Sequence, residues 1–236
     1  MRLGFSFATN EVKQEMKSLE PYVDYFETYS MSDERILTVK KYIDKITVVH
    51  LPDLNKGCTK ALEQATKLDI EKAVIHYFTV DPWSHEKKLE ELWKLVEVAE
   101  INGIILCLEN TEENPKEIRK MMDRIPNLCF CLDIGHANIF GNTPSDFITH
   151  LGELTQHVHI HDNHGGNSEA ADTHLIPGEG NIDFNKTFQD LLRINYDGDL
   201  TLELSPMDSD ERKIHGIKHT RALLDQFYRG LVDGLG

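Results

Sequence analysis

Eight short, nearly all-apolar runs recur along the chain, each followed by an amphipathic stretch, and no other feature limits the possible folds as strongly. The runs are Leu3 to Phe7, Val23 to Thr28, Ile46 to His50, Ala73 to Phe78, Ile104 to Glu109, Leu128 to Asp133, His157 to His161 and Leu200 to Glu203. Strand-length apolar runs alternating with helix-length patterns imply βα units around a parallel sheet whose two faces are both covered. Eight units suit closure into a (β/α)₈ TIM barrel, and 236 residues suit one such barrel as a single domain over residues 1–236. Between the runs, Leu89, Leu92, Trp93, Val96 and Ala99 form one helical stripe. Asn114-Pro115-Lys116-Glu117 and Thr143-Pro144-Ser145-Asp146 each read as an N-cap, a first-turn proline and a capping-box acid. The longest irregular stretch, Asp162 to Gly180, is where function is expected.

Composition narrows the partners. With 40% hydrophobic and 28% charged residues, no apolar run approaches the roughly 18–20 residues that span a bilayer, so a soluble protein with no membrane partner is expected. The opening residues lack a signal-peptide pattern, which makes the cytoplasm the expected location. A formal charge of −15 repels polyanions. The loops after the strands carry few cations, chiefly Lys13, Lys56, Lys60 and Lys116, whereas a duplex binder needs a basic face. Cys58, Cys107, Cys129 and Cys131 show no CxxC spacing and three fall in strands, so no disulfide framework is expected.

Chemistry concentrates where strands end. In a parallel barrel the carboxy ends of the strands meet substrate, and the third to eighth runs place His50, His76, Glu109, Asp133, His159 and Glu203 there. Each is followed by a breaker: Pro52, Pro82, Asn110, Gly135, Asn163 and Pro206. Alternation along a strand puts Cys107 inward with Glu109, and Cys129 and Cys131 inward with Asp133, leaving Leu108, Leu132 and Leu202 to the helices. A lone strand-end histidine is more often an ordinary hydrogen-bonded group than a ligand. Six ligand-type residues at six successive strand ends point instead to bound cations, which offset the buried carboxylates. His136, three residues after Asp133, and the pair Asp172 and His174 extend the set. His157 and His161 share parity with His159, so a two-residue shift of register exchanges their roles. Trp83, after the fourth run, either stacks on a sugar or base or packs in the core.

The segments Leu108-Glu109-Asn110-Thr111, Leu132-Asp133-Ile134-Gly135-His136-Ala137, His159-Ile160-His161-Asp162-Asn163 and Asp172-Thr173-His174-Leu175-Ile176-Pro177-Gly178-Glu179-Gly180-Asn181-Ile182 resemble the xylose isomerase-like barrels, the superfamily that includes endonuclease IV. The similarity covers nearly the whole chain. Endonuclease IV enzymes cleave DNA at abasic sites with three zinc ions, and the resemblance implies His50, His76 and Glu109 for one ion. It implies Glu109 as a bridge with Asp133, His159 and Glu203 for the second, and His136, Asp172 and His174 for the third. Sugar isomerases and epimerases of the superfamily resemble this chain at Glu109, Asp133, His159 and Glu203, which in them hold a single metal. Leu3 to Phe7 lacks the histidine and glycine pair of endonuclease IV, and Glu27 looks more like the isomerases. The expected function is therefore a metal-dependent phosphoester hydrolase with up to three Zn²⁺, with Mn²⁺, Fe²⁺ or Co²⁺ as alternatives. The alternative function is a sugar or sugar-phosphate isomerase or epimerase. Glu109 and Glu203 are the expected catalytic residues, and His161, Trp83 and Glu27 the expected substrate contacts. The expected partner is a small phosphorylated or sugar substrate, with abasic or single-stranded DNA as a further candidate.

Overall fold

Apolar runs with this spacing bury both faces when the sheet closes on itself inside a ring of helices, and the computed structural model shows that closure. It describes residues 1–7, 12–29, 40–54, 56–77 and 83–234. The strands are β1 (Leu3–Phe7), β2 (Tyr25–Tyr29), β3 (Ile46–His50), β4 (Lys72–His76), β5 (Ile105–Glu109), β6 (Cys129–Asp133), β7 (Thr155–Ile160) and β8 (Asp199–Leu202). They pair in parallel in chain order, with β8 returning to β1. Phe78 and Pro82 lie outside the described residues, as does the side chain of Lys13. Strand seven begins earlier than the sequence implied and stops at Ile160, so His161 follows the strand. Glu203 lies one residue beyond β8, held by its N–H to the Ile160 carbonyl at 3.0 Å.

Helices α1 (Val12–Leu19), α2 (Cys58–Thr66), α3 (His85–Ile101), α4 (Pro115–Met122), α5 (Ile134–Ile139), α6 (Pro144–Leu151), α7 (Phe184–Arg193) and α8 (Asp210–Gly234) surround the barrel. Both expected capping boxes form, Asn114 with Glu117 and Thr143 with Asp146. On α3 the buried stripe is Leu89, Leu92, Leu95, Val96 and Ala99. Trp93, expected in it, is 43% exposed and its indole N–H reaches Glu97. Among the described residues no helix is long and apolar enough to cross a membrane.

Alternation sorts the strand side chains into two cores. Phe26, Val49, Ile75, Leu108, Leu132 and Leu202 join the helices in the main core. Tyr25, Val48, Val74, Cys107 and Cys131 form a separate plug inside the barrel. Gly4 is required there, because a Cβ on it would sit 2.3 Å from the Tyr25 ring. Below the plug, Asp199 pairs with Lys72 at 2.6 Å and Arg2 at 2.8 Å. Above it the next inward residues of β2 to β7 are polar, and they open the site.

Candidate metal centre

Glu109, at the end of β5, is the hub of this polar layer. It is almost fully buried, and its two carboxylate oxygens serve different neighbours. Oε2 lies 3.1 Å from His50 Nε2 and 3.0 Å from His76 Nε2. Oε1 lies 3.2 Å from His159 Nδ1 and 3.3 Å from His136 Nδ1. His50 is oriented by donation from Nδ1 to the Leu51 carbonyl at 2.9 Å, which turns Nε2 toward Glu109 and to 3.3 Å from His76 Nε2. Two imidazole nitrogens face each other at that distance comfortably only when a proton or a cation sits between them.

His159 Nδ1 is also within 3.8 Å of Asp133 Oδ2 and 3.7 Å of Glu203 Oε1, so groups from β5, β6, β7 and the end of β8 converge on one point. Asp133 turns its other oxygen to His161 Nε2 at 3.0 Å and caps α5 through the His136 N–H. From α5, His136 Nε2 reaches Asp172 at 3.4 Å, and Asp172 lies 3.1 Å from His174 Nε2. The rings of His161 and His174 stack with centroids 4.1 Å apart.

The loop that delivers Asp172 and His174 hangs on Asp162. This buried carboxylate accepts N–H bonds from Asn163, Gly178 and Gly180, each at 2.8 Å, and from Ile182 at 3.3 Å. A backbone bridge to Leu175 completes the latch. Gly180 has no room for a side chain, since its Cβ would lie 2.2 Å from Asp162 Oδ1. His174 has φ 46°, a left-handed conformation that costs a non-glycine residue energy and is held where geometry matters.

Electrostatics bind these groups together. Burial alone would raise the Glu109 carboxyl, yet His76 and His159 hold it well below the usual carboxylate range. Asp133 is lowered in the same way by His136 and His161. Burial opposes a charge on His136, but Asp133, Asp172 and Glu109 raise it well above the usual imidazole value. Partial burial lowers His174, but Asp172 raises it to about 9. Four buried atoms in the cluster nevertheless have no hydrogen-bond partner among the described residues: Asp133 Oδ2, Asp172 Oδ1, His159 Nδ1 and His161 Nδ1. Unpartnered buried atoms are costly. All four are metal-ligand types aimed into the same cluster, so the residues fit divalent cations. The groups His50, His76 and Glu109, then Asp133, His136 and His161, then His161, Asp172 and His174 each gather ligand atoms within 4.8 Å of one another.

Every sequence-expected ligand is thus brought to one mouth: His50, His76, Glu109, Asp133, His136, His159, Asp172, His174 and Glu203. Of the three expected substrate contacts, His161 lies within the ligand cluster, Glu27 beneath it and Trp83 on the main core. Glu27 is fully buried beneath the ligands, between His157 and His159. His161 is fully buried against Asp133 and joins the ligand cluster. Trp83 packs on the main core with Lys87 over its ring at 4.1 Å. One mouth residue was missed in the sequence. Tyr29 ends β2 with the parity of Glu27 and stacks on His50 at 4.8 Å, so the alternation rule applied to β2 would have found it. A cleft of about 460 Å³ adjoins the cluster, lined by His76, Tyr77, Lys88, Glu112, His136 and Asp172.

The sequence pattern of the xylose isomerase-like TIM barrel family matches residues 56–225. The chain belongs to that family. The uncharacterized protein MJ1311 of Methanocaldococcus jannaschii is 35% identical over 192 residues, 73% of this chain and 61% of the relative. The fructoselysine 3-epimerase of Escherichia coli O157:H7 is 30% identical over 149 residues, 58% of this chain and 53% of the enzyme. The chain therefore spans less than two thirds of either relative's length. The crystal structure of a D-tagatose 3-epimerase-like protein superposes over 100% of both chains with a TM-score of 0.83 at 24% identity, a likeness of fold.

Proposed function

We propose that this chain is a metal-dependent isomerase or epimerase of a small sugar or sugar phosphate. The carrying observation is that His159 Nδ1 gathers Glu109 at 3.2 Å, Glu203 at 3.7 Å and Asp133 at 3.8 Å, a compact set with two glutamates on it. A bound divalent ion would hold neighbouring substrate oxygens and acidify the carbon beside a carbonyl; ligands of nitrogen and oxygen without an exposed thiol suit zinc, manganese, iron or cobalt. Glu109, buried and held low by His76 and His159, would take a proton from that carbon. Glu203, only 8% exposed and 3.7 Å from the same His159 nitrogen, would return one. The proton removed and the proton returned balance, so the carbon inverts with no change in composition. The epimerase relative favours this reading over the phosphoester hydrolase expected first, as does a chain of charge −15.

The hydrolase remains the second reading because of one observation: His50 with His76, and Asp172 with His174, extend the ligand set beyond what a single ion uses. Incubating the metal-loaded chain with small ketoses in D₂O separates the two. Deuterium should enter the carbon next to the carbonyl, and Glu203→Gln should slow its entry by roughly 10²–10⁴-fold. Phosphodiester cleavage by a parent that exchanges no carbon-bound hydrogen would reverse the assignment.

A further inference from the structure

Neutral imidazole carries one N–H, and whatever accepts it decides which nitrogen is left to bind a cation. His50 and His136 settle this with backbone carbonyls, those of Leu51 at 2.9 Å and Asn110 at 3.0 Å, which leaves Nε2 facing the cluster in both. His159 is turned the other way. Its Nδ1 faces Glu109, Asp133 and Glu203, while its Nε2 lies 3.1 and 3.2 Å from the two oxygens of Glu27. Both side chains are fully buried, and Glu27 as a carboxylate can only accept.

Glu27 is itself held from two sides. His157 Nε2 lies 3.0 Å from Glu27 Oε2 and 3.0 Å from Thr201 Oγ1, and Thr201 bonds the Tyr25 hydroxyl at 2.7 Å. Tyr25 in turn is fixed in the barrel plug. A carboxylate seated this way cannot rotate off His159.

We propose that Glu27 is a positioning residue that locks His159 with its proton on Nε2 and its Nδ1 lone pair on the cation, so that β2, which supplies no ligand to that ion, sets its affinity. This rests on the metal-centre reading above. A carboxylate behind a ligand imidazole also makes it a stronger donor than a backbone carbonyl does, and loss of such a partner typically weakens metal binding 10–100-fold. Glutamine is the informative replacement. It keeps size but removes the negative charge, and one of the two oxygens beside His159 Nε2 becomes an amide NH₂ that cannot accept its proton.

The test is competitive chelator titration of Zn²⁺ on the full chain and on Glu27→Gln, with long-range ¹H–¹⁵N correlation spectra of the zinc-loaded parent. Expected are unchanged stoichiometry, one ion weakened roughly 10–100-fold in the variant, and His159 protonated at Nε2 and metal-bound at Nδ1 in the parent. The Co²⁺-loaded variant should show shifted visible d–d bands, which a purely structural role would not produce. Equal affinities, or His159 bound through Nε2, would overturn the proposal. So would loss of one whole ion, which would mean that Glu27, His157 and His159 themselves hold a cation. Should the variant fail to fold, the tautomer read on the parent still decides. A parent that binds no ion at all would overturn the metal centre itself, a failure distinct from the others.

Discussion

A single carboxylate ties the mouth together, and its two oxygens divide the labour. Glu109 Oε2 faces His50 and His76, and Oε1 faces His136 and His159, so removing this side chain deprives two ligand groups at once. Asp172 sits at the edge of the cluster and, among the described residues, pairs with His136, His161 and His174. Elemental analysis of purified variants should therefore show Glu109→Ala depleted of more metal than Asp172→Ala, which should lose one ion at most. Equal single-ion losses would remove the bridging role. The contrast comes from burial as well as position: Glu109 is shielded from bulk solvent, whereas Asp172 is partly exposed.

At the scale of elements, the segment from Asp162 to Ile182 behaves as one unit hung from one side chain. Asp162→Asn keeps the shape but loses the charge that four N–H groups share, and should cost about 2 kcal/mol of local stability. Hydrogen exchange at Gly178, Gly180 and Ile182 should then quicken by roughly 30-fold, with strand amides unchanged. Protection that stays at the parental level would mean the bridge to Leu175 holds the loop by itself. The strands were legible in the sequence because a closed parallel barrel demands apolar residues on both faces, and His76, Glu109 and Asp133, which interrupt this, stand at strand ends. What was not legible depends on depth rather than pattern. Glu27 and His159 share inward parity, but the stagger of neighbouring strands sets Glu27 below the ligands. Trp83 follows a strand end, yet lies on the core because Lys87 and the start of α3 cover it. The latch role of Asp162 joins residues sixteen to twenty apart through backbone N–H groups, which no side-chain pattern records.

For the whole molecule, the cluster joins stability to pH and metal in a way that can be signed. In a chain stripped by chelator, imidazolium groups are what offset Glu109, Asp133 and Asp172. His174, at about 9 against an ordinary 6.5, contributes stability that is fully present below pH 6.5 and is lost as pH rises through 9. The carboxylates, held low by the same histidines, contribute stability present above their ordinary range near pH 4 and lost as pH falls below it. The stripped chain should thus be most stable between about pH 4 and pH 6.5. Metal reverses the dependence on the alkaline side, because ligand imidazoles must be neutral to bind and affinity rises as their protons leave. The melting temperature of the loaded chain should exceed that of the stripped chain by roughly 10 °C at neutral pH when free metal is about 1,000-fold above Kd. The gap should widen toward pH 9, where the stripped chain loses its imidazolium charges, and close toward pH 5, where protons compete with the metal. A gap that stays constant across this range, with metal loss verified at each pH, would mean that the carboxylates and histidines of the mouth do not share one ion-binding site.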